Sequence, residues 1–251
     1  MKVAAVQHDI AWEDPRATFG LVEPMIGAAA AAGARLVLLT EMFATGFSMA
    51  TERIAEDPEG PSASFLIEQA ARRDVWLCGS VPVRVAGEER PYNQLVLAGP
   101  DGTVHRYEKI HPFSYGGEHE RYAAGEKVIT VDIDGVRVTP FVCYDLRFAD
   151  GFWNVADSTD LYVIVANWPA ARREHWKALL RARAIENQAY VVGVNRVGEG
   201  GGIAYAGDSR IIDPLGDVLV GASKTETVVI ADVDPSVVQE VRGRYPFLRD
   251  R

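Results

Sequence analysis

Residues 2–41, KVAAVQHDIAWEDPRATFGLVEPMIGAAAAAGARLVLLTE, decide the fold. Lys2 to Gln7 is a short apolar run suited to a buried strand, and Pro15 to Ala32 reads as a helix. Leu36 to Leu39 is a second buried strand that stops at Thr40-Glu41. Strand, helix and strand within forty residues point to α/β architecture.

Working outward, the Pro-bounded loop Asp57-Pro58-Glu59-Gly60-Pro61 precedes a helix from Ser62 to Arg73, and Val75 to Val81 returns as a strand. Ser80 to Val85, Tyr92 to Leu97 and Thr103 to Glu108 then read as short strands of an antiparallel meander, punctuated by Gly87 and Pro100-Asp101-Gly102. Lys109 stands where the meander ends. After an irregular stretch from His111 to Lys127, Val128 to Ile133 and Val136 to Val142 form a hairpin about Asp134-Gly135, and Cys143 follows directly. Phe148 to Ser158 reads as helical and Leu161 to Ala166 as a strand. Arg173 to Asn187 is a helix expected to bury Trp176, Leu179, Leu180 and Ile185. The strand Tyr190 to Asn195, a turn at Gly198 to Gly202, short strands through Asp208 to Val220 and Thr227 to Val233, and a helix after Pro235 complete the pattern. No repeat, linker or low-complexity tract divides the chain, so residues 1–251 are expected to form one domain.

With 251 residues, 48% of them hydrophobic, the chain can bury a core without disulfide or metal staples. The net charge of −9 argues against nucleic-acid partners and against acidic membrane surfaces, which require clustered Lys and Arg. Met25 to Leu39 is too short, and too broken by Arg35, to span a bilayer. Two widely separated cysteines, Cys78 and Cys143, do not make a disulfide framework. Together with the lack of a signal-peptide apolar region after Met1, they lead us to expect a cytoplasmic protein.

Three polar residues interrupt buried patterns at strand ends: Glu41, Lys109 and Cys143. Ligands collect beyond strand ends in open α/β sheets, so three such groups can converge despite their separation in sequence. Their chemistry is complementary, because a carboxylate takes a thiol proton, a thiolate attacks a carbonyl, and an ammonium holds the resulting oxyanion. Taken singly, each has an ordinary reading: Cys143 as core, Glu41 as a cap or ion-pair partner, Lys109 as a solvated strand terminus. Only the combination points to catalysis.

Three blocks carry a resemblance: Thr40-Glu-Met-Phe-Ala-Thr-Gly-Phe47, Lys109-Ile-His-Pro-Phe113 and Val142-Cys-Tyr-Asp-Leu-Arg-Phe148. In order and spacing they resemble the signature blocks of the nitrilase superfamily of carbon–nitrogen hydrolases. Ala166-Asn-Trp-Pro169, the Arg-Ala-Arg-Ala-Ile-Glu-Asn run at 181–187 and Gly207-Asp-Ser209 extend the similarity over nearly the whole chain. Within the superfamily the Glu-Met-Phe and Cys-Tyr-Asp-Leu-Arg-Phe forms are most similar to ω-amidases, which hydrolyse the side-chain amide of 2-oxo dicarboxylic acid monoamides such as 2-oxoglutaramate and 2-oxosuccinamate. The resemblance implies a four-layer αββα sandwich, a homodimer, a Glu41–Lys109–Cys143 triad, a small amide substrate and no cofactor. It also implies a second glutamate seven residues before a glycine, which matches Glu118 before Gly125, with Glu120 as the competing choice. Pro112-Phe113 departs from the usual Leu-Phe and makes Phe113 a candidate pocket residue.

On this reading the Lys109 ammonium would favour the Cys143 thiolate, whose free pKa is ~8.5. Lys109 and the backbone N–H of Tyr144 would hold the oxyanion. Arg147, four residues past the nucleophile, is either a salt-bridge partner of Asp145 or Asp150 or the bidentate anchor of a substrate carboxylate. Other readings fit less well. His111, Glu118 and His119 lack the spacing of a zinc site, so no metal is expected. A Cys143–His111 pair competes with the glutamate base, and Gly198 to Gly202 lacks the order of a phosphate cradle. Another nitrilase-superfamily amidase or an N-carbamoyl amide hydrolase would use the same triad, whereas a redox or thiol-sensing protein would use Cys78 with Cys143.

Overall fold

The computed structural model describes residues 1–251. In chain order the first strands are β1 (Lys2–Gln7), β2 (Leu36–Leu38), β3 (Trp76–Val83), β4 (Tyr92–Ala98) and β5 (Val104–Glu108). They are followed by β6 (Val131–Ile133), β7 (Val136–Val142), β8 (Leu161–Ala166) and β9 (Tyr190–Asn195). The last are β10 (Val197–Gly200), β11 (Ile203–Ile212), β12 (Val218–Ser223) and β13 (Thr227–Asp232). The helices are α1 (Pro15–Ala31), α2 (Thr51–Ile54), α3 (Pro61–Arg73), α4 (Glu118–Arg121), α5 (Ala149–Trp153), α6 (Arg173–Asn187) and α7 (Pro235–Arg244).

Two sheets stack face to face. One has the order β13-β1-β2-β3-β4-β5, and the other β10-β11-β9-β8-β7-β6 with β12 on β11. The parallel pairs β1–β2, β2–β3, β7–β8 and β8–β9 form the two centres. Alternation along β1 sets the layers, since side chains on a strand point to opposite faces in turn. Val3 and Ala5 join one buried cluster with Leu36 and Leu38 of the first sheet and Val138 and Val142 of the second, while Ala4 and Val6 join Val22 and Ile26 of α1 and Leu66 of α3. On the far side, Trp176, Leu180 and Ala184 of α6 belong to the same cluster as β9. The result is the αββα sandwich that the resemblance implied. No helix is long and apolar enough to cross a membrane.

Several sequence expectations need adjustment. The runs at 75–81 and 80–85 are one strand, β3, because Pro82 lies beyond the reach of β2, which pairs only as far as Cys78 and leaves that edge without need of an N–H. The hairpin turn Asp134-Gly135 has φ of 51° and 82°, the two left-handed positions of a type I′ turn, but its first strand begins at Val131 rather than Val128. The stretch 148–158 holds only α5 and a 3₁₀ turn at Ala156–Ser158. Within 111–127 lie a 3₁₀ turn, Ser114–Gly116, and α4. Ile185 is 49% exposed, because it sits one residue past Ala184 and so about 100° round the helix from the buried stripe, and Leu179 is only half-buried.

His8, just beyond β1, is fully buried. Its Nδ1 donates to the Asp9 carbonyl at 2.6 Å, and its Nε2 therefore accepts from Thr40 Oγ1 at 3.1 Å. Burial lowers its pKa to about 4. An unfolded chain would protonate this ring near pH ~6.5, so stability contributed by neutral His8 is full above that value and falls as pH drops toward about 4. Denaturant unfolding at about pH 7.5 and about pH 5 should differ by on the order of 2 kcal/mol from this group, and His8→Gln should remove most of that difference. An unchanged difference in the variant would place the acid sensitivity elsewhere.

Candidate active site

Glu41 follows β2 after Leu39-Thr40, Lys109 follows β5, and Cys143 follows β7 of the opposing sheet, so three strand ends deliver their side chains to one point between the sheets. Lys109 Nζ donates to Glu41 Oε1 at 2.9 Å and to Glu118 Oε2 and Oε1 at 2.8 and 3.0 Å. Glu118 lies on α4, a single turn that the Gly125 N–H, bonded to the Lys109 carbonyl at 2.9 Å, helps clamp against the end of β5. A Cβ at Gly125 would overlap the Glu108 carbonyl, which accounts for glycine there. Glu41 and Glu118 are 0% exposed and Lys109 1%.

A buried ammonium is unfavourable unless charges of opposite sign surround it. Burial alone would lower the Lys109 pKa, but Glu118 and Glu41 outweigh it and hold the ammonium protonated far above neutrality. Asn93 of β4 bridges the carboxylates, donating to Glu41 Oε1 at 2.9 Å and Glu118 Oε1 at 3.1 Å. Glu41 Oε2 accepts the backbone N–H of Asn167 at 2.8 Å, and Asn167 Nδ2 donates to the Glu41 carbonyl at 2.6 Å.

Cys143 has φ of 45° and begins a 3₁₀ helix, Cys143–Arg147, so its thiol stands at a sharp turn out of β7. Asp145 fixes that turn: it accepts the Val142 N–H at 3.0 Å, the Tyr107 hydroxyl at 2.8 Å and the His111 N–H at 2.9 Å. From sequence, Lys109 was expected to favour the thiolate and Glu41 to take the proton during attack; the structure tips that balance toward the thiol. Burial pushes the Cys143 thiol up, the Glu41 carboxylate pushes it further, and Lys109 opposes both without prevailing. Two carboxylates and one ammonium already leave the cluster one negative charge in excess, and a thiolate beside them would add another. The resting nucleophile is a thiol facing a carboxylate.

Beyond Cys143 opens a cavity of about 530 Å³. Phe113, Tyr144, Trp168, Tyr205 and Trp12 form much of its wall, and Trp12 packs against Gly200 and Gly201, so the glycine-rich turn is the tip of the β10–β11 hairpin and part of that wall. Two guanidinium groups also line it. That of Arg147 lies 4.8 Å from the Trp168 ring centre, with Nη2 3.2 Å from His175 Nδ1, and that of Arg172 lies 5.4 Å from the Phe113 ring centre. Arg137, Arg173 and Arg183 are paired with carboxylates, whereas Arg147 pairs with neither Asp145 nor Asp150 and Arg172 pairs with none.

Of the residues singled out from sequence, Glu41, Lys109, Cys143 and Glu118 meet, and Phe113, Tyr144 and Arg147 line the adjoining cavity. Glu120 is exposed and outside the cluster. His111 is taken up by Asp145 and stacks on Phe148 at 3.7 Å, and His119 is exposed, so neither the Cys–His pair nor the His111–Glu118–His119 grouping forms. Cys78 is fully buried in the core with its thiol pushed up by burial, which makes it packing rather than a redox partner. Sequence reading missed Asn93, Asn167 and Arg172. A polar Asn93 inside an apolar strand and the Ala166-Asn-Trp-Pro169 block were the signals available for the first two.

This geometry is that of a hydrolase acting on carbon–nitrogen bonds through a cysteine, and the chain belongs to the carbon–nitrogen hydrolase family, whose model matches residues 2–243. It is 38% identical over 254 residues to the omega-amidase YafV of Escherichia coli K12, covering 100% of this chain and 96% of that protein. It is 34% identical to the 2-oxoglutaramate amidase of Bacillus subtilis, with 99% and 96% covered. The crystal structure of XC1258 from Xanthomonas campestris, a CN-hydrolase superfamily protein with an arsenic adduct in its active site, superposes with a TM-score of 0.94 at 40% identity, covering 100% of this chain and 97% of that one.

Because Glu118 and not Glu120 touches Lys109, Glu118→Gln should lower amide turnover by about 100-fold or more while Glu120→Gln stays within about 2-fold. Steady-state ammonia release measures both. Equal effects would detach the buried carboxylate from function.

Proposed function

We propose that the protein is an ω-amidase that hydrolyses the terminal amide of short 2-oxo dicarboxylic acid monoamides, 2-oxoglutaramate and 2-oxosuccinamate, through a thioester on Cys143. The observation that carries this reading is a thiol beside a buried carboxylate–ammonium–carboxylate cluster, facing a cavity that holds two guanidinium groups without carboxylate partners.

Glu41 takes the thiol proton as Sγ attacks the amide carbon, which avoids a free thiolate in a site already negative. The carbonyl oxygen becomes an oxyanion held by Lys109 Nζ and by the backbone N–H of Tyr144, which lies in the first turn of a helix and so lacks an intrahelical acceptor. Glu41 then delivers the proton to the nitrogen, the carbon–nitrogen bond breaks and ammonia leaves. Water enters, gives a proton to Glu41 and attacks the thioester carbon; the acid departs and the proton returns to sulfur. Glu118 never meets substrate in this scheme. It keeps Lys109 charged and aimed.

Arg147 binds the distal carboxylate in bidentate fashion, with Arg172 as a second cation on the same wall, and Phe113 and Tyr144 pack against the short carbon chain. Local guanidinium charge outweighs the screened net charge of the protein. We also propose that the enzyme is a cytoplasmic homodimer. Both cysteines are free thiols, and Ile185, Leu215 and Phe247 expose an apolar surface beside α6 and α7 that suits a second copy.

Arg147→Lys and Arg172→Lys should each raise KM for 2-oxoglutaramate, on the order of 10-fold, with little change in kcat and no change for an uncharged aliphatic amide. Preference of the unaltered enzyme for uncharged amides or N-carbamoyl compounds would contradict the substrate. Light scattering should give twice the chain mass, and Leu215→Asp should shift it toward one; a monomer before mutation would contradict the dimer.

A further inference from the structure

Asn167 stands just past the end of β8, 3% exposed, in the wall of the cavity that holds Cys143. Two of its donors are committed to Glu41, the backbone N–H to Oε2 at 2.8 Å and Nδ2 to the carbonyl at 2.6 Å. These bonds fix the amide plane and leave Oδ1 with no donor in the protein. A buried acceptor left bare costs about 1–3 kcal/mol, so a cavity that keeps one is built for a ligand that brings an N–H.

We propose that Asn167 recognises the nitrogen of the scissile amide: its Oδ1 accepts an N–H of the substrate carboxamide and holds that nitrogen beside Glu41. The position suits the chemistry. The leaving nitrogen has to receive a proton from Glu41, and of the two asparagines that touch Glu41 and keep a bare Oδ1, Asn93 and Asn167, Asn167 is the one that lines the cavity. A carboxamide brings two N–H donors, whereas an ester of the same acid brings none and leaves Oδ1 bare. Sites built around such a hydrogen bond discriminate strongly against analogues that lack the donor. Asn167 is therefore the residue that makes the site prefer a primary amide to the corresponding ester. This inference rests on the amidase reading above.

The test compares 2-oxoglutaramate with the ω-methyl ester of the same 2-oxo acid. In the enzyme with its cysteine intact, Asn167→Ala should lower kcat/KM for the amide about 10- to 100-fold more than for the ester. Any displacement of Glu41 would harm both substrates alike. In the Cys143→Ala background, where binding is read calorimetrically without turnover, adding Asn167→Ala should weaken the amide at least about 10-fold and leave the ester within about 2-fold. Asn167→Asp keeps an acceptor while losing the donor to the Glu41 carbonyl, so the preference for amide over ester should survive even where overall rates fall. Equal losses for amide and ester in Asn167→Ala, in turnover and in binding, would overturn the proposal and reduce Asn167 to a support for Glu41. Failure of the amidase reading has a different signature, since the unaltered protein would then release no ammonia from the amide.

Discussion

One ammonium between two carboxylates organises the centre of this protein. Lys109 is buried from solvent and touches Glu41 on one side and Glu118 on the other. A charge of either sign alone in that position would be expelled or neutralised, and removal of any one member leaves the others unpaired in low dielectric. The cluster is therefore costly to assemble and difficult to rearrange, and its geometry is fixed before any substrate arrives. That preorganisation is what an oxyanion-stabilising site needs, because donors already in place have nothing to reorganise as charge develops.

The fold exists around this point in a specific sense. The first sheet supplies Glu41, Asn93 and Lys109, and the second supplies Cys143 and Asn167. Hydrogen bonds from Asn167 to Glu41 cross between the sheets at the site itself. The base is thus held by a residue of the sheet that carries the nucleophile, and the distance between thiol and carboxylate is set by how the two sheets stack. The buried cluster that Val3, Ala5, Leu36 and Leu38 of one sheet share with Val138 and Val142 of the other fixes that stacking. Asp145 adds local control, tying the Cys143 turn to Tyr107 and His111, two residues to either side of Lys109.

Much of this was legible in the chain. Short apolar runs ending in Glu41 and Cys143 gave the strand ends, because a charged or nucleophilic residue after a buried run has to be paired or used. The type I′ turn at Asp134-Gly135 and the helix Arg173–Asn187 were legible for the same local reasons. Three things were not. The state of Cys143 depends on the sum of burial, Glu41 and Lys109 in space, and sequence alone named the two charged partners without the burial that weights them. Arg172 reaches the cavity through a 3₁₀ turn, Ala170–Arg172, that no periodicity announces, and Arg173 beside it goes to Asp208 instead. Ile185 was misplaced because an apolar residue in an amphipathic helix was assigned to the core stripe when it faces outward.

The account stands on a nucleophile held as a thiol and deprotonated only during attack. The ultraviolet absorbance of thiolate, taken as the difference between the protein and its Cys143→Ala variant from about pH 5 to about pH 9, measures this directly. The account predicts no thiolate signal from Cys143 around neutrality. A signal that titrates in below about pH 7 would show a preformed thiolate and contradict it.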